Sequence, residues 1–246
     1  MTQRIIAGRK PVLEALKAGT PIEKILILEG AHGAVIDEIR SHARGKHIET
    51  SEAHQPEFRN TAGEAAAQGV VAVVRVKRFA ELDRVLSLPK ERNEQGAVLL
   101  LDGIEDPHNL GALVRTAECA GVHGVVIPKH HAATVTSTVV KASAGATEHV
   151  AIVEVSNIVR TMEALKEKGY WIVGLDASGP EEYTGIDYTT PVAIVVGSEG
   201  KGIRRLVKEH CDHLVRIPLR GKIESLNASV AGALVMYEVV RQRHRL

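Results

Sequence analysis

From residue 97 onward the chain alternates two kinds of apolar pattern. Short unbroken runs of Val, Ile and Leu take turns with segments whose apolar positions return every three or four residues. The runs "AVLLLD", "GVVIP", "HVAIVEV", "YWIVGLDA", "VAIVVGSEG" and "DHLVRIPL" predict buried strands. "NLGALVRTAECAG", "STVVKASAGA", "NIVRTMEALKEKG", "IRRLVKEHC" and the last segment of the chain predict helices. Strands without a polar face, alternating with helices, predict an α/β fold with a parallel sheet covered on both sides.

The first part of the chain follows a looser version of the same pattern. "GRKPVLEALKAG" and "AVIDEIRSHARG" predict helices, the first with Pro11 near its start and Gly19 at its stop. "EKILILEG" and "QGVVAVVRVK" predict strands. Residues 1–77 are therefore expected to form a small α/β domain. "FAELDRVLSLPKERNEQG" is polar and charged, and 78–96 is expected to be a linker before a second domain over 97–246.

The last helix is unusual. In "IESLNASVAGALVMYEVVR", from Ile223 to Arg241, the polar residues Ser225, Asn227 and Ser229 precede a body that is apolar nearly all round. Such a body is expected to be buried on most sides, against its own sheet and against a partner subunit. A helix start needs one capping side chain. Either Ser225 or Asn227 can fill that role, which leaves the other for a site.

Composition narrows the field. Among 246 residues the net charge is +1 and aromatics make up 3%, which argues against base stacking on many rings. A basic lean in the first domain, from Arg4, Arg9, Lys10, Arg40, Arg44, Lys46, Arg59, Arg75, Lys77 and Arg78, is compatible with an RNA-facing side. Cys119 and Cys211 stand alone and suggest buried thiols in a reducing cytosol. The start "MTQRIIAGRK" lacks the apolar stretch of a signal peptide, and no run reaches membrane-spanning length. A cytoplasmic protein without membrane contact is expected. His130 and His131 lack carboxylates or cysteines at ligand spacing, so no metal is expected.

In open α/β sheets, ligands collect at the carboxyl ends of strands. Three polar clusters fall there. The first follows Asp102, with Asp106, His108 and Asn109 in a loop and Arg115 in the helix beyond. If Asn109 caps that helix, its amide and the Arg115 side chain can converge above the sheet. The second is "VVGSEGKGI", where Gly197, Gly200 and Gly202 allow close backbone approach and Glu199 offers a carboxylate. It fits neither a P-loop nor a nucleophile elbow, and no strand is followed by a Rossmann GxGxxG. The third is "VRIPLRGKIESLN", ending in Ser225, Leu226 and Asn227 at a helix start whose free N–H groups suit an acceptor-rich ligand.

Taken together and in this order, "DPHNLGALVRTAECAG", "VVGSEGKGI" and "IPLRGKIESLNASVA" resemble the SpoU/TrmH (SPOUT) family of RNA ribose 2′-O-methyltransferases. The likeness continues through "AGVHGVVIPK", "YWIVG" and "RRLVKEHCD". With "GRKPVLEAL" near the start, the whole chain is similar to the RlmB subgroup, which modifies a guanosine in the peptidyl-transferase loop of 23S rRNA. The resemblance implies a C-terminal parallel-sheet domain with a deep trefoil knot and a small N-terminal RNA-binding domain. It implies S-adenosyl-L-methionine held through Gly197, Ile217 and Leu226, and active-site roles for Asn109, Arg115, Glu199, Ser225 and Asn227. It also implies a homodimer with the last helix in the interface. The segment "HHAATVTSTVV" departs from the family pattern, and His130 and His131 receive no role.

Methylating a ribose hydroxyl requires alignment of oxygen, methyl and sulfur, and removal of one proton. The family assigns that proton to the position of Arg115. A guanidinium is a poor acceptor, whereas the carboxylate of Glu199 is an ordinary one. Both assignments stay open at this level. So do two other readings: the same chemistry on tRNA or another rRNA site, and a non-catalytic RNA-binding or ribosome-assembly protein.

Overall fold

The computed structural model of the chain describes residues 4–17, 19–62, 69–74, 79–223 and 225–244. Two compact units divide it, Met1–Arg78 and Phe79–Leu246.

The first unit runs β1 (Arg4–Ala7), α1 (Arg9–Lys17), β2 (Ile22–Leu28), α2 (Ala34–Gly45), β3 (Glu49–Ala53), α3 (Gln55–Ala62) and β4 (Val70–Val74). Its sheet has the order β1-β4-β2-β3, with β4 antiparallel to both β1 and β2, and β2 parallel to β3. Val12 and Leu16 of α1 and Ile36 and Ile39 of α2 pack with Ile25, Ile27 and Ala72 in one core cluster. Phe58 of α3 packs with Leu26 and Val71 in another. The apolar periods of "GRKPVLEALKAG" and "AVIDEIRSHARG" thus become buried helix faces. β1 and β3 were not expected, and both are edge strands. The polar "ETSEA" of β3 is mostly exposed and carries no apolar signature.

The basic residues of this unit divide into two groups. Arg40 pairs with Glu52 at 2.6 Å, and Lys46 donates to the carbonyl of Leu16. Lys10, Arg44 and Arg59 are exposed and have no ion pair among the described residues. Arg75, Lys77, Arg78 and the side chain of Arg4 lie outside the described residues.

The second unit runs α4 (Leu82–Arg92), β5 (Ala97–Asp102), α5 (Pro107–Cys119), β6 (Gly124–Pro128), α6 (Ser137–Ala142), a 3-10 turn (Ala146–Glu148), β7 (Ala151–Val155), α7 (Ile158–Glu167), β8 (Trp171–Leu175), β9 (Glu181–Glu182), β10 (Val192–Gly197), α8 (Arg205–Glu209), β11 (His213–Arg216) and α9 (Ala228–His244). Its seven strands pair in the order β7-β6-β5-β10-β8-β11-β9, and every pair is parallel.

All six residues of β5 are buried, yet the strand still serves two faces. Leu99 and Leu101 join a core with Leu113 of α5 and Val235, Met236 and Val239 of α9. Val98 and Leu100 point the other way, to Met162 and Leu165 of α7, Val207 of α8 and Val85 of α4. Double-sided burial is what the unbroken apolar runs predict. Gly232 lets α9 close on the α5 side chain of Leu113, since a methyl there would come within 2.6 Å of its Cδ2.

The expected linker over 78–96 is corrected. Residues 79–96 belong to the second unit, and most of them form α4. Val85 is fully buried, the Ala80 N–H bonds the carbonyl of Ile152 at 2.7 Å, and a methyl at Gly124 would collide with Val85. Only Val85 and Pro89 of α4 are buried, so its apolar period is too weak to stand out from the charged residues around it. No helix among the described residues is long and apolar enough to cross a membrane.

Candidate active site

The strand order turns around between β5 and β10: the chain builds β6 and β7 to one side and β8 and β11 to the other. The carboxyl ends of the two central strands lie level, with Asp102 opposite Gly197 in register. Crevices at such a switch point are where α/β sheets bind ligands. Three chain segments meet there.

The first enters α5. Asp106, not Asn109, is the helix cap: its Oδ1 accepts from the His108 N–H at 3.0 Å, and Pro107 occupies the first turn. Asn109 sits inside that turn, 7% exposed, with its side chain free for other contacts. The second segment is the turn after β10. Gly197 is required because a Cβ there would collide with the backbone of Gly202. Gly200 and Gly202 take positive φ of 80° and 65°, and Ser198 and Gly202 exchange N–H···O bonds of 3.1 and 2.9 Å. This tight turn projects Glu199.

The third segment enters α9, where Asn227 performs two tasks at once. Its Oδ1 accepts from the N–H of Ser229 at 2.9 Å, the N–H of Val230 at 3.2 Å and the Ser229 hydroxyl at 2.5 Å. That is an N-cap. Its Nδ2 donates to Asn109 Oδ1 at 2.9 Å and to Glu199 Oε1. The expectation that a capping residue is unavailable to a site is therefore corrected. An amide has an acceptor end and a donor end, and here they face different elements.

The second and third segments, with the residues after β8, surround a cavity of about 480 Å³ at the ends of β8, β10 and β11. Gly197, Ile217 and Leu226, expected to contact one ligand, all line it, as do Glu199 and Ser225. Its walls alternate apolar groups (Leu175, Ile217, Leu219, Leu226) with the backbone of the glycine turn. Between 218 and 226, the described residues make no backbone–backbone hydrogen bond, so their N–H and C=O groups are available to a ligand.

Of the five expected active-site residues, hydrogen bonds unite Asn109, Glu199 and Asn227. Ser225 is exposed at the cavity. Arg115 does not join them: it is exposed, six residues beyond Asn109 on α5, and has no hydrogen bond or ion pair among the described residues. Six residues turn a helix through about 240°, which places the two side chains on different faces.

Two charged contacts at the site were not anticipated. Asp102, 1% exposed, accepts from the Arg204 backbone N–H at 2.8 Å and from its Nε at 2.7 Å. Asp176 lines the cavity and binds Lys208 Nζ at 2.8 Å and the Ser178 N–H at 2.9 Å. Burial alone would raise the Asp176 carboxyl, but the bonds from Lys208 and Ser178 outweigh it and hold the group below its ordinary range. Asp102 stood out only as a strand end, and Arg204 reads as a surface helix residue, so nothing local marks the pair. Among the described residues, no three His, Cys, Asp or Glu side chains gather as a metal site.

The chain matches the model of the SpoU rRNA Methylase family over residues 96–237. Residues 5–80 match the model described as RNA 2'-O ribose methyltransferase substrate binding. A putative TrmH family tRNA/rRNA methyltransferase of Staphylococcus aureus (strain MSSA476) is 44% identical over 244 residues, 99% of this chain and 98% of its own. A relative of the same description from Bacillus subtilis (strain 168) is 44% identical over 239 residues, covering 97% and 96%. In three dimensions the chain is similar to the SpoU methyltransferase AviRb from Streptomyces viridochromogenes, solved in complex with AdoMet. That likeness has a TM-score of 0.68 and 26% identity, over 99% of this chain and 92% of the other. A family model spanning all three site segments, and relatives this similar along nearly the whole length, establish that the chain belongs to the SpoU/TrmH family of RNA methyltransferases.

Proposed function

We propose that the protein methylates a ribose 2′-hydroxyl of RNA, using S-adenosyl-L-methionine, and that its target is a guanosine in the peptidyl-transferase loop of 23S rRNA. The observation that carries this reading is the meeting of Asn109, Glu199 and Asn227 beside the cavity lined by Gly197, Ile217 and Leu226. The cavity suits the cofactor: apolar walls for a purine, with unpartnered backbone groups in the 218–226 loop to recognise its edge. Gly197, Ile217 and Leu226 would hold it. When bound, the cofactor supplies a methyl group activated on a sulfonium.

The chain's own residues do the rest. Glu199 has one oxygen on Asn227 and a second with no partner among the described residues. That second oxygen faces the task of accepting the ribose hydroxyl's hydrogen bond or proton. Asn227 orients the carboxylate and is itself held by the α9 start, so the acceptor is placed before substrate arrives. Ser225 and the amide of Asn109 are positioned as further donors to the sugar. Arg115 remains charged and binds a neighbouring phosphate. The first unit, with its exposed Lys10, Arg44 and Arg59, selects the RNA.

A homodimer completes the reading. Val230, Leu234 and Tyr237 are 48%, 39% and 51% exposed along one side of α9. With Ala112 and Thr116 of α5 they border an apolar groove. A second copy seated there would also meet α5 near Arg115. The knotted threading of the C-terminal segment belongs to the same proposal.

The test is a map of ribose methylation on 23S rRNA from cells with and without the gene, followed by methylation of the deficient RNA with purified protein. The reading expects one peptidyl-transferase guanosine to lose its methyl and regain it in vitro. An unchanged 23S map with a lost methyl on tRNA would move the target, and unchanged maps of both would overturn the activity.

A further inference from the structure

The Asp102 carboxylate is buried at the sheet end, and both its oxygens are spent on one residue. A buried carboxylate is costly unless paired and hydrogen-bonded. Here Oδ2 takes the backbone N–H of Arg204, while Oδ1 takes Nε at 2.7 Å and the terminal guanidinium nitrogen at 2.5 Å. The backbone bond constrains where the chain runs, and the side chain brings the neutralising charge. Arg204 lies seven residues after Gly197, and Gly197 pairs with Asp102 across β10 and β5. The turn therefore starts beside Asp102 and is tied back to it at its far end. Glu199 lies between those two points, inside the smaller bridge of Ser198 and Gly202.

We propose that Asp102 is a positioning residue for methyl transfer: by gripping Arg204 it closes the 198–203 turn and sets where Glu199 meets Asn227. Asp102 is not among the residues that line the cavity and has no hydrogen bond to the Asn109–Asn227–Glu199 cluster, so it acts through the turn. The inference rests on the proposed role of Glu199. A carboxamide at 102 has one acceptor oxygen and turns an N–H toward one of the Arg204 donors, so half of the grip is lost.

The experiment is a double-mutant cycle on the full-length protein, with Asp102→Asn, Glu199→Ala and the pair. Cofactor binding is read by titration calorimetry, and methyl transfer to the deficient RNA by single-turnover kinetics. Asp102→Asn is expected to slow transfer at least about tenfold while the cofactor Kd stays within about threefold. On the Glu199→Ala background it is expected to add nothing, because the group it positions is gone. A purely structural Asp102 gives losses that multiply, and that result overturns the inference, as does wild-type transfer by Asp102→Asn. Should Asp102→Asn fail to fold, Arg204→Ala, which keeps the backbone bond, is expected to show a smaller loss with the same non-additivity. Full activity of Glu199→Ala would sink the reading of Glu199 and this inference together. An inactive Glu199→Ala beside an unaffected Asp102→Asn would sink the inference alone.

Discussion

The side-chain amide of Asn227 donates to Asn109, 118 residues earlier in the chain, and its carbonyl end caps α9. One residue thus joins a helix start to the cluster proposed to carry the chemistry. Stability and chemistry at this point are separable, because they use opposite ends of the same group.

Asn227→Ser tests that separation. Serine can cap a helix but cannot reach both Asn109 and Glu199. The melting temperature is expected to stay near wild type while methyl transfer falls at least about tenfold. Asn227→Ala loses both, with a stability cost of about 1 kcal/mol by denaturant titration.

Arg115 stands apart from the cluster on an exposed face of α5. Arg115→Ala is expected to bind the cofactor with unchanged affinity in calorimetry and to lose turnover by about a hundredfold or more. Wild-type-like methylation by this variant would remove Arg115 from the mechanism.

Gly197→Ala places a methyl against the Gly202 backbone. The turn, which lines the cavity, has to shift. The expected outcome is a cofactor Kd raised at least about tenfold, with a stability loss of about 1–3 kcal/mol. Crystallography of the variant would show the displaced turn.

Leu234→Glu and Tyr237→Glu put charge on the exposed apolar side of α9. If that face is the dimer interface, either variant runs as a monomer in light scattering while wild type runs as a dimer. A wild-type monomer, or dimeric variants, would place the partner elsewhere or exclude it.

His123 is 1% exposed, and its Nδ1 accepts from the Ala97 N–H at 3.1 Å. Burial, with the charge of Arg92 adding to it, holds the imidazole below its ordinary range despite Glu94 close by. The folded state thus binds this proton less readily than the unfolded chain. The stability that His123 contributes is full above the ordinary value of about 6.5 and is lost as pH falls from there through the folded value. Urea midpoints measured at pH 7.5 and 5.5 are expected to drop more in wild type than in His123→Gln.

The strands were legible because burial on both faces leaves a local mark: "AVLLL" and "VAIVVG" have no polar position to give up. The glycine turn, the polar head of α9 and the family motifs were legible for a similar reason, since each is a contiguous stretch. Where that mark is faint, the reading failed. β3 is a polar edge strand, and α4 buries too few residues to show a period. Asp106 displaced Asn109 as the α5 cap because it stands immediately before the N1 proline, where its carboxylate can reach the His108 N–H.

By itself, then, the sequence determined the types of the elements with a strong apolar pattern, the parallel sheet and the family, all of which depend on residues near one another in the chain. Only the tertiary structure decided that β10 lies beside β5, that Asn227 joins Asn109 to Glu199, that Arg204 serves Asp102, and that Arg115 faces elsewhere. These are contacts across dozens to more than a hundred residues. They depend on strand order and on which face of each helix is buried, and a local pattern of side chains encodes neither.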